Sequence, residues 1–151
     1  MAKPSGRVSD PLVGFTFGLD IDGVSVGFFM ECSGIGSSHE VIEHKVVDAK
    51  GHEVTQKIPG RMTWEDITLK RGVTDAMDMW KWREAVEKGT MKDARKNGSV
   101  VMYDRNYEET ARWNFENGWP SKISGPSLDS GSADVGVEEI TISHEGIVRA
   151  K

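Results

Sequence analysis

With a single cysteine, Cys32, among 151 residues, the chain has no partner for an intrachain disulfide, which fits manufacture in a reducing compartment. Cys32 itself reads as a small buried apolar residue. No run of about 18 apolar residues occurs, so no helix is expected to span a bilayer. Residues 1–10 also lack the apolar segment of a secretory signal. A basic excess is missing too: 19 Lys and Arg against 24 Asp and Glu give a formal net charge of -5, which argues against a nucleic-acid partner. Hydrophobic residues at 37% and charged residues at 28% are those of a chain that folds and stays soluble. The length suits one domain, expected over residues 11–151 after a flexible polar arm at 1–10.

Catalytic and metal-binding patterns are equally scarce. Of the four histidines, His39 and His44 are five apart, which places them on opposite faces of a strand, and His52 and His144 lie elsewhere. No Cys-x-x-Cys or His-Glu-x-x-His occurs, so no metal is expected. Cys32-Ser33-Gly34-Ile35-Gly36 is not a nucleophile elbow, and Gly34-x-Gly36 lacks the third glycine and following helix of a dinucleotide loop. Carboxylate pairs such as Glu65-Asp66, Glu108-Glu109 and Glu138-Glu139 are adjacent, so on strands they face opposite ways and cannot share an acid/base site. The expectation is a protein that is not an enzyme and needs no cofactor.

What is present is mostly strand pattern. Phe15, Phe17, Leu19 and Ile21 alternate, and Asp22-Gly23 is a hairpin turn pair, so residues 24–31 are expected to fold back. Residues 33–37 read as a loop, followed by an extended segment with Val41, Ile42, Val46 and Val47. Ile58-Pro59-Gly60 reads as a turn, and residues 64–71 as one strand. Lys96-Asn97-Gly98 reads as a turn before a strand at 99–103, residues 104–108 as a hairpin loop, and Ala111, Trp113 and Phe115 as the buried face of another strand broken at Asn117-Gly118. Residues 122–128 are expected to be extended, 129–134 to form a loop, and 135–145 to be the closing strand.

One helix is predicted over residues 74–88, capped by Thr74, with Asp75 and Asp78 in its first turn, Lys88 at its end and Gly89 in the left-handed C′ position. Ala76, Met79, Trp80, Trp82 and Val86 share one broad arc, interrupted by Arg83, whose stem can cover apolar surface while its head reaches water. Met79, Trp80, Trp82 and Val86, with Trp113 and Phe115, are therefore expected to form the core between helix and sheet. About eight strands and one helix predict a mainly β (α+β) fold, with two packed antiparallel sheets forming a barrel-like sandwich and one flanking helix. Strands such as 41–47 and 99–105 are mixed on both faces, as elements are when the second face meets another protomer.

The ordered motifs resemble one family. Asp10-Pro11-Leu12-Val13-Gly14-Phe15-Thr16-Phe17, Leu19-Asp20-Ile21-Asp22-Gly23, Gly27-Phe28-Phe29, Cys32-Ser33-Gly34-Ile35, Lys57-Ile58-Pro59-Gly60 and Ile67-Thr68-Leu69-Lys70-Arg71-Gly72-Val73-Thr74 resemble the tail tube proteins of contractile phages and injection systems. So do Trp80 on the helix, Arg95-Lys96-Asn97-Gly98-Ser99, the run from Trp113 through Trp119-Pro120 to Pro126, and Val137-Glu138-Glu139-Ile140-Thr141-Ile142-Ser143-His144-Glu145-Gly146. Together they cover residues 10–148.

The resemblance implies a structural subunit that forms hexameric rings with itself. The rings stack head to tail into a hollow tube inside a contractile sheath, which drives the tube through a target envelope. It also implies partners: a sheath protein, a baseplate or spike hub, a terminal cap, and cargo in the lumen, with no membrane insertion. Assembly would take place in the bacterial cytoplasm. Val46, Val47, Asp48, Ala49, Lys50, Gly51, His52 and Glu53 correspond to the loop that reaches the neighbouring ring, and Glu40, Lys45, Arg112, Asn114 and Glu116 are candidates for the lumen. Within the same machines the alternatives are a tube-initiator or hub subunit and the ring protein of type VI secretion. From another class, the alternative is a monomeric β-barrel that binds a small ligand.

Overall fold

The computed structural model describes residues 15–22, 24–73, 77–126 and 136–151. The expected arm at 1–10, Gly23 of the first turn, the Thr74 cap with Asp75 and Ala76, and the loop at 129–134 lie outside the described residues.

Ten strands and two helices occur among the described residues. In chain order they are β1 (Thr16–Ile21), β2 (Val24–Phe29), β3 (Glu31–Ser33), β4 (Ser37–Val47), β5 (Glu53–Trp64), β6 (Ile67–Gly72), α1 (Asp78–Glu87), α2 (Met91–Ala94), β7 (Lys96–Tyr103), β8 (Glu109–Ser124), β9 (Val137–Ser143) and β10 (Gly146–Arg149). Eight strands form one antiparallel path, β2-β1-β7-β8-β9-β6-β3, with β10 on β8; β4 and β5 pair only with each other.

The path is a sandwich because β8 serves both layers. Its first part pairs with β7 and β10, and its second part, from Trp119 onward, pairs with β9. The bend falls at Asn117, which has φ 50, and at Gly118, where a Cβ would lie 2.4 Å from the Phe115 ring. The sheet does not close into a barrel.

Leu19, Phe29, Val100 and Phe115 from one layer meet Ile67, Leu69, Ile140 and Ile142 from the other, all 1% exposed or less. Strict alternation on β6 and β9 puts these residues inward, and each such side chain buried is worth about 1.5–3 kcal/mol.

Helix α1 lies against β8, with α2 beside it. It ends as predicted at Gly89, φ 80: the Gly89 and Thr90 amides donate to the Val86 and Ala85 carbonyls, the pairing that satisfies a helix C-terminus in a Schellman motif. The Trp82 indole donates to the Ala94 carbonyl at 2.6 Å, tying α2 to α1. Arg83, its side chain 24% exposed, also donates from its guanidinium to the Pro120 carbonyl at 3.1 Å, because β8 offers an acceptor just below it.

Several expected turns are strand instead. Pro59-Gly60 lies within β5, with Pro59 opposite Val41 beside a bulge; a two-stranded ribbon has only edges, where a missing N–H is tolerated. Lys96-Asn97-Gly98 opens β7, and Gly98 is needed for close approach, since a Cβ there would lie 2.6 Å from both the Asp20 carbonyl and the Phe115 ring. Asn117-Gly118 bends β8 without ending it. Residues 64–71 are not one strand: the chain breaks at Glu65-Asp66 to pass from β5 to β6. The strand expected at 135–145 is β9, but it does not close the chain: the Glu145 amide bonds the Glu116 carbonyl at 3.0 Å, and an unexpected strand, β10, returns along β8.

Candidate functional site

The ribbon of β4 and β5 is the most conspicuous surface. Its register runs from Ser37 opposite Trp64 to Val47 opposite Glu53, and it makes no extensive contact with other elements. Val41, Ile42, Val47, Ile58 and Met62 are 42–69% exposed. An isolated two-stranded ribbon is marginal in water, and clustered exposed apolar groups mark interaction surfaces.

The expected stacking segment, Val46, Val47, Asp48, Ala49, Lys50, Gly51, His52 and Glu53, forms the tip. There the Asp48 carboxylate accepts from the Lys50 and His52 amides at 2.9 and 2.8 Å, and Gly51 takes φ 84. This is an Asx-type turn, which short acidic side chains stabilise.

At the base the ribbon is fastened. The Glu65 amide donates to the Gly36 carbonyl at 3.0 Å, His144 Nε2 lies 3.0 Å from the Glu65 carbonyl, and the Ser143 hydroxyl donates to Asp66 at 3.1 Å. Since a carbonyl only accepts, His144 Nε2 carries the proton there. Gly34, φ 80, has no alternative: a Cβ would lie 1.9 Å from the Asp66 carbonyl.

The residues proposed for a lumen divide into two groups. Arg112, Asn114 and Glu116 sit at alternate positions of β8, on the face away from Ala111 and Phe115. Around them Asp20 and Glu109 pair with Arg112, and the Ser99 hydroxyl donates to Asn114 at 2.7 Å. Burial opposes the Arg112 charge, but the Glu109 and Asp20 carboxylates outweigh it and raise its pKa. Glu40 and Lys45 stand apart on the ribbon, where Lys45 faces Glu53 at 3.8 Å.

Of the predicted core, Met79, Trp82 and Phe115 are buried. Val86 is half-buried, and Trp113 packs on the core edge beneath the Arg149 guanidinium. Trp80 is 38% exposed, because its indole N–H reaches Glu138 Oε2 at 3.0 Å.

That bond belongs to a network sequence reasoning missed. Arg71 and Glu138 are register partners across β6 and β9; the Arg71 Nε donates to Glu138 Oε1 at 2.8 Å, and both are nearly inaccessible. The signal was available: Arg71 is in phase with Ile67 and Leu69, and Glu138 with Ile140 and Ile142, so alternation places two opposite charges inward on neighbouring strands. Among the described residues no cluster of three or more His, Cys, Asp or Glu could hold a metal.

The family model described as T4-like virus tail tube protein gp19 matches residues 13–148. The chain belongs to this tail tube family. Its fold is also found in solved structures. A chain of an extracellular contractile injection system, in the PVC sheath-tube complex in the extended state, is 23% identical, with TM-score 0.74 and 98% of each chain covered. A chain from the anti-feeding prophage cap, described as a tube terminating cap, is 24% identical, with TM-score 0.74 over 97% of this chain and 95% of that one. Hcp1 from Flavobacterium johnsoniae shares 17% identity, with TM-score 0.52 over 89% and 94%. No curated protein sequence matches significantly.

Proposed function

We propose that this tail tube protein is a non-catalytic subunit of the inner tube of a contractile injection particle. Six copies join into a ring, rings stack through the ribbon tip, and a surrounding sheath drives the finished tube outward. The observation that carries this reading is the ribbon, a long two-stranded projection whose apolar side chains its own chain leaves in water. The strands β2, β3 and β10, each paired on one side only among the described residues, support it too, since closure into a ring removes such edges. The likeness to chains from a sheath-tube complex, a terminating cap and an injection-system baseplate supports a sheath, a cap and a baseplate as partners. Assembly takes place in the cytoplasm, before the particle is complete.

The polar face of Arg112, Asn114 and Glu116 then lines the channel. Its one cation, Arg112, is already paired with Asp20 and Glu109 within the chain, which suits passage of cargo without capture. Electron microscopy of the purified protein tests the reading: rings or short tubes with a central channel are expected. A monodisperse monomer by light scattering at high concentration overturns it.

A further inference from the structure

The ribbon has two long edges, and they are not alike. Along an antiparallel pair, residues that bond to the partner alternate with residues that turn away from it, so one bond at each end fixes the direction of every backbone group between. At the tip the Asp48 amide donates to the His52 carbonyl at 2.8 Å, and at the base the Gly36 carbonyl accepts from the Glu65 amide at 3.0 Å. Both bonds engage even-numbered residues flanking β4. The register shift between His39 and Val41 advances three residues on β5 for two on β4, so the phase of β4 is unbroken. Its even-numbered residues face β5, and His39, Val41, Glu43, Lys45 and Val47 turn their backbone groups outward.

The outer edge of β5 is blunted. Pro59 lies opposite Val41, so it too is an outward position, and it has no N–H to offer; the extra residue of the bulge follows at once. Prolines and bulges are how natural edges avoid pairing. The outer edge of β4 has neither. Ser37–Val47 contains no proline and no glycine, and every residue except Val46 is exposed. Among the described residues β4 pairs with β5 alone. A regular strand edge of this length, left open, is a template for another strand.

We infer that the outer edge of β4 is completed by a strand from a second copy of the chain. The edge runs into the tip through Val47, so a copy reached by the tip is already alongside it. The chain belongs to a tail tube family, and it carries strands, β3 and β10, that are paired on one side only among the described residues. Pairing at β4 also supplies the third strand without which a two-stranded ribbon is marginal in water. The inference rests on the self-assembly proposed above and adds the edge through which the ribbon joins its neighbour.

Amide hydrogen exchange reads the edge directly. Purified chains are labelled in deuterated buffer, dispersed or assembled, then quenched and dissolved in an aprotic solvent for residue-resolved NMR. In the dispersed chain the odd-numbered amides from His39 to Val47 are expected to exchange faster than the even-numbered ones, and assembly is expected to slow them by about 100-fold or more. Glu43→Pro removes one outward N–H without touching the ladder to β5, as Pro59 does on the opposite edge. It is expected to raise the concentration for half-assembly about tenfold or more, whereas Glu43→Ala, which keeps that N–H, stays within about twofold of wild type. Even-numbered amides that exchange as in wild type in dispersed Glu43→Pro chains report that the ribbon itself survives. Three results overturn this inference and leave the proposed function standing: odd-numbered amides that stay fast in assembled chains, odd-numbered amides already slow in dispersed chains because the chain covers its own edge, or Glu43→Pro chains that assemble at the wild-type concentration. Wild-type chains that never assemble overturn both.

Discussion

The ring of Phe115 is wedged against two glycines, and this makes Gly118→Ala a sharp test of how β8 turns between the layers. An alanine Cβ at Gly118 would lie 2.4 and 2.6 Å from Phe115 Cε2 and Cδ2 and 3.2 Å from Ile142 Cγ2. Contact normally begins near 3.5 Å, so the ring would have to retreat by about 1 Å. It has little room to move: Phe115 is 1% exposed, and the tip of its ring, Cζ, is seated over Gly98.

Overpacking of this kind costs about 1–3 kcal/mol, or a drop of about 2–12 °C in Tm at roughly 2–4 °C per kcal/mol for a chain of this size. Phe115→Val removes every ring atom. It is destabilising by itself, below the roughly 3–5 kcal/mol of full truncation to alanine, but in its presence Gly118→Ala should cost under about 0.5 kcal/mol. The coupling, read by urea unfolding of the two single variants and the double variant, is then about 0.5–3 kcal/mol. Equal penalties in both backgrounds, or no penalty for Gly118→Ala alone, would refute the reasoning.

Three further outcomes follow from the same geometry. Glu138→Ala strands the buried Arg71 charge and the Trp80 indole, so a loss of about 3–5 kcal/mol is expected in chemical denaturation, while Arg71→Met with Glu138→Leu recovers most of it. Gly89→Ala meets no neighbouring atom but must hold φ 80, so about 1–2 kcal/mol of backbone cost is expected in thermal melts. Burial pushes the Cys32 thiol from 9.0 up to about 12, so alkylation at pH 8 should run about 1000-fold slower in the folded chain than in the unfolded one. Because the folded value is the higher one, the stability Cys32 contributes is complete below pH 9 and declines as the pH rises from 9 towards 12, which unfolding curves across that range would reveal.

The core strands were legible because each had one wet face. Phe17, Leu19 and Ile21, then Ala111, Trp113 and Phe115, advertise their period without any knowledge of partners, and Gly89 marks the helix end by a requirement local to its own backbone. Pro59-Gly60, Asn97-Gly98 and Asn117-Gly118 were misread for the opposite reason. Gly98 and Gly118 are needed by a phenylalanine ring across or along the sheet, and Pro59 is permitted by the ribbon's lack of a third strand; neither condition is visible in neighbouring residues. Alternation alone marks Arg71 and Glu138 as inward, but that they meet each other and Trp80, 67 and 58 positions away from Glu138, emerges only once β6 and β9 are paired.

Because β8 runs through both layers of the sandwich, neither half has a boundary of its own along which to come apart. Peeling one layer from the other means tearing the same 16-residue strand out of two ladders at once. A body built so should melt in one sharp step, and under a push along its length it should transmit the load through covalent backbone, with no seam between plates at which to yield.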